Sequence, residues 1–301
     1  NIAANAFANC SGLQSVVIGV CGDLAASVFS GKSKLATVSL GTCGNIGDSA
    51  FNNCTALTSI TLNCGNIGKR AFYGCTNLKE AVIENAGAIG NSAFGKTGLQ
   101  TLRITACGDI ENQAFVDNSN LFGNHSLRTV EIDTCGKIGS SAFAYAKNLQ
   151  TVKIGTCTSI GSLAFGFNSA LQTVEVDNCA SIGKNAFQAA GAPIVELHIQ
   201  NCAIEQAAFY MAKIQTLTLE NVSDIADAAF QSSTITNLTL SHITSLGEGV
   251  FAGCKGLTNL TIEDVDTITE GTFKIYDTTL GNNVETITLK NVNYIGNYAF
   301  Y

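Results

Sequence analysis

The chain has 301 residues and a formal net charge of −7; 46% of its residues are hydrophobic and only 13% are charged. A normal apolar content with about half the usual share of charge excludes an intrinsically disordered chain. No apolar run reaches the roughly twenty residues of a membrane-spanning helix, and the acidic balance argues against generic nucleic-acid binding.

Phenylalanine recurs at a fixed period along the whole chain. Successive members of this column are 21 or 22 residues apart, except for two intervals of 28 and 27 residues. A fixed period of this length is the signature of a repeat array. The fourteen members are Phe7, Phe29, Phe51, Phe72, Phe94, Phe115, Phe143, Phe165, Phe187, Phe209, Phe230, Phe251, Phe273 and Phe300.

The first half of each unit leads up to the phenylalanine. Ile or Leu stands five residues before it, often followed by Gly, and the residue directly before it is usually Ala, as in Ile46, Gly47, Ala50 and Phe51. Apolar residues spaced four and five apart suit a helical turn or an irregular arc.

The second half of each unit alternates polar and apolar residues. Thr-Val-Glu-Ile at 129–132 and Thr-Leu-Thr-Leu at 216–219 are examples. This alternation predicts a short strand with one buried and one solvated face. A single coil cannot bury its own apolar face, so neighbouring coils have to stack. We expect thirteen strand segments in one long parallel sheet.

The unit at 46–57, Ile-Gly-Asp-Ser-Ala-Phe-Asn-Asn-Cys-Thr-Ala-Leu, resembles the BspA-type leucine-rich repeat. The resemblance extends over essentially the whole chain. It implies a leucine-rich-repeat horseshoe or gently curved solenoid, and surface-exposed bacterial or protist proteins linked to adhesion and host or partner contact. The predicted fold class is an α/β repeat solenoid, a right-handed coil with one long parallel sheet on one face and short helical turns or irregular arcs on the other.

We expect residues 1–301 to form a single solenoid of about fourteen units, with longer units near 116–126 and 274–283. Insertions at one repeat position emerge on one side of a solenoid, so they are either recognition loops or tolerated slack. Leu121 and Leu127 both fit the leucine column there. Both ends of the chain fall inside a unit. We therefore expect part of a longer array, with coils that stack end to end between molecules as the alternative.

The twelve cysteines fall in two columns of the repeat. Val222 and Ile243 occupy the larger column in other units, which indicates a small buried apolar position that Cys fills as a small hydrophobe. Disulfides between some pairs, or a metal or redox role, stay open as alternatives. The larger column holds Cys21, Cys43, Cys64, Cys107, Cys135, Cys157, Cys179 and Cys202, and the smaller one Cys10, Cys54, Cys75 and Cys254.

Catalytic motifs are not found in the sequence. His125, His198 and His242 occupy unrelated repeat positions, and no Cys-x-x-Cys pair, phosphate-binding glycine loop or nucleophile elbow occurs. We expect no enzyme activity, no cofactor and no metal.

The solvated strand face is charged in its centre and rich in Thr towards its ends. Arg103, Glu131, Lys153 and Glu175 alternate in sign on successive strands, which predicts cross-strand ion pairs. This is either a self-satisfied solvated face, at about 0.2–1 kcal/mol per pair, or a polar binding patch. The candidate binding residues are Arg103, Arg128, Glu131, Lys153, Glu175, Glu196 and His198.

The sequence and the resemblance together predict a non-catalytic protein-binding or adhesion module of a surface or secreted protein that uses the concave sheet face. The expected partner is a host, matrix or other cell-surface protein, with no nucleic acid and no membrane insertion in this segment. Signal and anchor are expected outside it. The alternative is a structural or self-assembling solenoid, a filament or stalk, with no specific ligand site.

Overall fold

The structure is a computed structural model that describes residues 1–117, 122–188, 193–274 and 284–300. It divides into two compact units, Asn1–Leu149 and Gln150–Tyr301. Each is built from stacked coils of parallel β-structure, and each is described by itself.

The first unit contains nine strands in its described part. Four of them, β3, β4, β5 and β8, pair side by side and parallel, and β1 pairs parallel with β2. The strands are β1 (Ser15–Ile18), β2 (Thr37–Leu40), β3 (Ser59–Asn63), β4 (Glu80–Asn85), β5 (Thr101–Ala106), β6 (Val116–Asp117), β7 (Phe122–Gly123), β8 (Thr129–Thr134) and β9 (Lys137–Ile138).

The second unit contains eleven strands in its described part. Seven of them pair parallel in the order β10, β11, β12, β14, β16, β17 and β19. The strands are β10 (Thr151–Ile160), β11 (Thr173–Ile182), β12 (Ile194–Gln200), β13 (Ala203–Ile204), β14 (Lys213–Glu220), β15 (Asp224–Ile225), β16 (Thr234–Ser241), β17 (Asn259–Glu263), β18 (Thr267–Ile268), β19 (Thr286–Lys290) and β20 (Tyr294–Ile295).

The repeat phase fixes the register of these pairs. Thr151 pairs with Thr173 and Ile154 with Val176 on β10 and β11, so residues of one sequence column face each other on neighbouring coils. In the unit of β3 only Asn63 stands between Leu62 and Cys64, where the other units have two residues at this place. The register between β3 and β4 shifts there. A one-residue deletion therefore appears as a local irregularity at the strand end and does not disturb the next coil.

A second, narrower set of parallel bridges runs through the isoleucine column five residues before the phenylalanines. Ile46 bridges Ile67, and Ile67 bridges Ile89. In the second unit the same column forms short strands, with Ile204 paired to Ile225 on β13 and β15. Each coil is thus held to the next by two parallel ladders, of which the sequence predicted only the wider one.

The predicted helical turns are wrong, because the described residues contain no helix. Backbone amides in the arcs alternate between two kinds of partner. Ala50 donates to the Gly47 carbonyl three residues back (3.1 Å), whereas Phe51 donates to Ala71 on the next coil (2.8 Å). Ser49 has a positive φ of 56°, which a right-handed helix excludes. The irregular arc, the other form considered for this half, is what the chain adopts.

The core is built from columns of like side chains. Phenylalanine rings on consecutive coils of each unit stack with centroids 4.5–5.3 Å apart. Leucine and isoleucine columns pack beside them, and Leu57, Leu78 and Leu99 are fully buried. Because one coil offers only half of each contact, stability depends on neighbouring coils.

Of the two predicted insertions, only the first is partly described. β6 pairs antiparallel with β7 as a short hairpin beside the coil. Leu127 is fully buried in the leucine column, so it is the residue that continues the repeat. Leu121 and residues 275–283 lie outside the described residues. In the described part of the chain, no helix is long and apolar enough to cross a membrane.

Candidate interaction face

The parallel strands present one row of side chains per residue on their solvated face. On β10, Val152 and Ile154 are buried, while Lys153 between them is exposed. The side-chain period of two and the column register place its neighbour Glu175 at the same height on β11. Residues that share one repeat position therefore lie next to each other on the surface, one per strand.

The first charged cluster lies in the first unit and consists of Arg103, Glu131 and Asp133. Arg103 Nη1 lies 3.0 Å from Glu131 Oε2, and Nη2 lies 2.8 Å from Asp133 Oδ2. One guanidinium therefore joins two carboxylates of the next strand, using the fork geometry that suits Arg. All three side chains remain 39–46% exposed, so each pair contributes at most about 1 kcal/mol.

Arg128 lies directly before β8 and is exposed. No ion pair involves it within the part of the chain that the structure describes. Arg103 and Lys153 form ion pairs with a neighbouring coil, whereas Arg128 forms none within the described residues.

The second charged cluster lies in the second unit and consists of Lys153, Glu175, Glu196 and His198. Lys153 Nζ lies 3.0 Å from Glu175 Oε2, the cross-strand pair that the sequence predicted. His198 follows Glu175 in register. Its Nε2 is shielded from solvent and has no hydrogen-bond partner among the described residues. Glu196 is exposed beside Thr173 and Thr216.

Several carboxylates on these strands have no partner within the described residues. Glu80, Glu84 and Glu196 are exposed, Glu220 is half-buried, and none of the four takes part in an ion pair. By contrast, Arg103 and Lys153 are both held by acidic neighbours. Within each unit, the charge left over on these strands is therefore mainly negative.

Some rows of the second unit are neutral and polar, although Lys290 Nζ lies 3.3 Å from Glu263 Oε2 on another row. Thr218, Thr239 and Thr261 follow one another in register, and Asn259 Nδ2 donates to Asn237 Oδ1 at 2.8 Å. These groups offer hydrogen bonds but no net charge. The charged rows are thus the distinctive part of the face, as the sequence indicated.

The larger cysteine column lies at the ends of the strands, and its thiols contact one another. Cys21 Sγ lies 2.9 Å from Cys43 Sγ, and Cys157 Sγ lies 3.1 Å from Cys179 Sγ. Burial raises the pKa of Cys43 to about 12, with a further rise from the hydrogen bond to Cys21. Burial also raises the pKa of Cys64 to about 12. These two thiols stay neutral at physiological pH.

Side chains of the smaller cysteine column donate hydrogen bonds to backbone carbonyls, which the sequence analysis did not predict. The Cys54 thiol donates to the Phe29 carbonyl on the preceding coil at 3.2 Å. The buried Lys32 occupies the same column and donates from Nζ to the Ala8 carbonyl at 2.9 Å. Cys54, Lys32 and Ser233, which all occupy this column, each carry a hydrogen-bond donor in the side chain. That common property was the signal available in the sequence.

A second missed feature is a series of Asn and Asp side chains that bond the next coil. Asp23 Oδ1 accepts from the Asn45 amide at 2.6 Å, and Asn45 Oδ1 accepts from the Asn66 amide at 2.8 Å. These side chains satisfy amides at the turn into the isoleucine column. Their recurrence directly before that column was readable from the sequence.

The described residues contain no cluster of side chains suited to binding a metal ion. No group of three or more His, Cys, Asp or Glu side chains there is arranged to hold a metal ion. His242 Nε2 lies 3.2 Å from Asp264 Oδ2 in a solvent-exposed pair. That histidine is accounted for by its neighbour on the next coil.

The coil-by-coil repetition of these columns agrees with the comparison with known families. The family profile described as BspA type leucine rich repeat region, with six copies, matches residues 1–121, 118–192 and 181–301. The chain belongs to the BspA-type leucine-rich repeat family. The BspA-type columns of this chain are the isoleucine, phenylalanine and leucine columns that form its core.

Two solved structures are similar to this BspA-type chain. A leucine-rich repeat protein from Bacteroides ovatus ATCC 8483 is 16% identical with a TM-score of 0.49, covering 94% of this chain and 73% of its own. A leucine rich cell surface protein from Faecalibacterium prausnitzii A2-165 is 16% identical with a TM-score of 0.30, covering 92% of this chain and 88% of its own. A search of the curated proteins finds no match.

Proposed function

We propose that the chain is a non-catalytic protein-binding or adhesion module of a surface or secreted protein. Membership of the BspA-type family supports this class of function, and the similar protein from Faecalibacterium is described as a cell surface protein. The partner is a host, matrix or other cell-surface protein. Its contact surface on this chain is the solvated face of the parallel strands.

The observation that carries the proposal is the arrangement of charge on that face. Arg103 and Lys153 are held by Glu131, Asp133 and Glu175 on neighbouring coils. These pairs orient the charged rows, while the exposed Glu196 keeps a carboxylate available. A face of this charge selects a partner with Lys or Arg at its contact surface, because complementary potentials steer and orient association.

His198 is the residue of the second cluster that carries a buried polar atom without a hydrogen bond within the described residues. Its Nε2 is shielded by neighbouring side chains and lacks a hydrogen bond within the described residues. A buried polar atom without a partner is unfavourable by about 1–3 kcal/mol. A partner group reaches this nitrogen only when the side chains around it move, and the hydrogen bond then formed recovers that free energy on binding.

The experiment compares two double variants that change net charge equally. Glu196→Lys with Glu220→Lys alters the sheet face, and Glu248→Lys with Glu270→Lys alters exposed positions on the return arcs of the same unit. Each chain is immobilised and used to capture proteins from a host-cell or matrix extract, which are identified by mass spectrometry. We expect the sheet variant to lose the captured partner and the arc variant to keep it.

The outcome against the proposal is equal capture by the two variants. Equal loss would indicate a non-specific charge effect, and equal retention would show that the sheet face is not the contact surface. Repeating the capture at high ionic strength supplies a second readout, because the screening length falls from about 8 Å at 0.15 M salt to about 3 Å at 1 M salt. Partner binding through the acidic rows weakens with salt.

A structural solenoid without a specific ligand is the competing function. The observation that favours it is the intramolecular pairing of Arg103 and Lys153, which leaves neither cation free for a partner. In that case the ion pairs serve only to hold neighbouring coils. The same experiment separates the two functions, since a structural solenoid captures no partner that responds to the sheet-face substitutions.

A further inference from the structure

Two cysteines near the start of the chain lie in direct contact on neighbouring coils. Cys21 Sγ lies 2.9 Å from Cys43 Sγ. Their backbones are joined as well, since the Cys21 amide donates to Thr42 at 3.2 Å and the Gly44 amide donates to Cys21 at 3.1 Å. The two residues therefore face each other across one parallel rung.

The rung spacing is compatible with a covalent bond. Neighbouring parallel strands lie about 4.8 Å apart, inside the roughly 4.4–6.8 Å that separates the Cα atoms of disulfide-bonded cysteines. The two sulfurs have to approach by rotation of their side chains alone. No backbone rearrangement is needed to join them.

The second cysteine column shows that stacking alone does not produce this contact. Cys54 and Cys75 also lie on neighbouring coils, but each of their thiols donates to a backbone carbonyl of the preceding coil. Cys54 donates to the Phe29 carbonyl at 3.2 Å, and Cys75 donates to the Phe51 carbonyl at 3.1 Å. Each of these sulfurs is directed to the backbone, so the pair serves as an internal control.

Access distinguishes Cys21 from its partner Cys43 and from the buried thiols Cys157 and Cys179. Cys21 is partly exposed, while Cys43 is only 6% exposed. An oxidant from solvent therefore reaches Cys21 first. Cys43 is held beside it as the group that resolves the product.

We propose that Cys21 and Cys43 are a redox-active dithiol that a hydroperoxide converts into a disulfide between adjacent coils. Cys21 attacks the peroxide oxygen, which breaks the O–O bond and yields a sulfenic acid and water (or the alcohol of an organic peroxide). The Cys43 thiol then attacks the Cys21 sulfur, and its proton leaves with the sulfenic hydroxyl group as a second water while the S–S bond forms. Two thiols lose two electrons and two protons, and one peroxide is reduced.

A second pair extends the inference to the other unit. Cys157 and Cys179 are paired in register on β10 and β11, with their sulfurs 3.1 Å apart. Both are at most 4% exposed. The same chemistry at this pair requires the coils to open first, so we expect it to react more slowly than the Cys21–Cys43 pair.

The test maps disulfides in the full chain carrying Cys10→Ser, which removes an exposed thiol of the other column. The reduced protein is treated with limiting hydrogen peroxide, and remaining thiols are alkylated in denaturant. Trypsin cleaves after Lys32 and Lys34, between Cys21 and Cys43, and after Arg70, before Cys75. Tandem mass spectrometry then locates each bond.

The expected result is a Cys21–Cys43 link that forms before any Cys157–Cys179 link, while Cys54 and Cys75 remain alkylated. The thermal unfolding midpoint rises on oxidation and returns on reduction. In Cys43→Val, which places a residue already found in this column, Cys21 becomes over-oxidised and no link forms. The proposal is overturned if Cys21 in the Cys10→Ser chain goes to sulfinic acid unlinked, stays unmodified, or links no faster than Cys54 links to Cys75.

Discussion

Left-handed backbone at one residue of every coil is the local feature on which the arcs depend. The residue two before each phenylalanine has a positive φ of 51–70°, and only two of these fourteen positions carry Gly. A side chain in this region is unfavourable by roughly 1–2 kcal/mol. The stacked coils therefore hold these residues in a conformation that most of them would not choose.

The positive φ of this column determines whether exchanging Gly and Ala there raises or lowers the free energy of unfolding. Gly271 has a φ of 70°, and an added Cβ meets nothing closer than 3.9 Å, so Gly271→Ala changes only the backbone preference. We expect it to lower the free energy of unfolding by about 1 kcal/mol. Ala228→Gly, at a φ of 56° in the same column, should raise or preserve it. Urea unfolding of both variants measures the difference, and equal shifts of one sign would contradict the backbone origin.

Buried thiols give the protein a defined weakness at alkaline pH. Burial raises the pKa of Cys64 from 9.0 to about 12. Between these values the unfolded chain has lost the proton that the folded chain retains. The free energy of unfolding therefore falls as pH rises above 9, by at most about 1.4 kcal/mol per pH unit for each such thiol.

Cys64→Val tests this dependence without opening a cavity, because Val already occupies the same column at Val222 and Val265. We expect the variant to lose less stability than the wild type between pH 8 and pH 10.5, measured by urea unfolding at both values. Cys10→Ser, at an exposed thiol, is the control and should keep the wild-type loss. An unchanged loss in Cys64→Val would show that this thiol stays protonated equally in both states.

The element that sequence reasoning predicted best is the strand, and the element it predicted least well is the arc. Alternating Thr, Val and Ile residues identify a strand such as β8 directly. The spacing of Ile46, Ala50 and Phe51 fits a helical turn equally well. It does not reveal that Ser49 adopts a positive φ, because nothing in a serine side chain demands it. The arc conformation follows from hydrogen bonds to the next coil, which one repeat cannot contain.

The phenylalanine column supplies the largest of the fully buried side chains. Phe165 is 1% exposed and stacks on Phe187 with ring centroids 5.2 Å apart. Phe165→Ala should lower the free energy of unfolding by about 3–5 kcal/mol through lost burial and an added cavity. Hydrogen exchange should show the loss concentrated in the coils beside the substitution, because repeat stability is a sum of neighbouring terms.

A conservative replacement separates packing from aromatic stacking. Phe165→Leu keeps most of the buried volume but removes the ring contact with Phe187, so it should be distinctly milder than the alanine variant. A leucine variant as unstable as the alanine variant would mean that the stacked ring geometry matters more than burial. Equal hydrogen exchange throughout the chain would contradict stability distributed by coil.

At the scale of the whole molecule, the place of the charged rows on the strands was predictable from the sequence, but the full set of their ion pairs was not. The alternating charges of Arg103, Glu131, Lys153 and Glu175 placed the charged rows on the solvated strands, and the two pairs within the units are formed. The sequence did not show that Arg103 would also bind Asp133. Rotamers of long side chains decide which charges are satisfied, and a repeat pattern does not encode them.

The most direct test of the account is the affinity of the captured partner for the two charge-matched variants. Equilibrium binding is measured at low and at physiological ionic strength. We predict that Glu196→Lys with Glu220→Lys weakens binding about tenfold or more, equivalent to about 1.4 kcal/mol, and most strongly at low salt. The pair Glu248→Lys and Glu270→Lys should bind like the wild type. Equal affinities of the two variants would contradict the sheet face as the surface that recognises a protein partner.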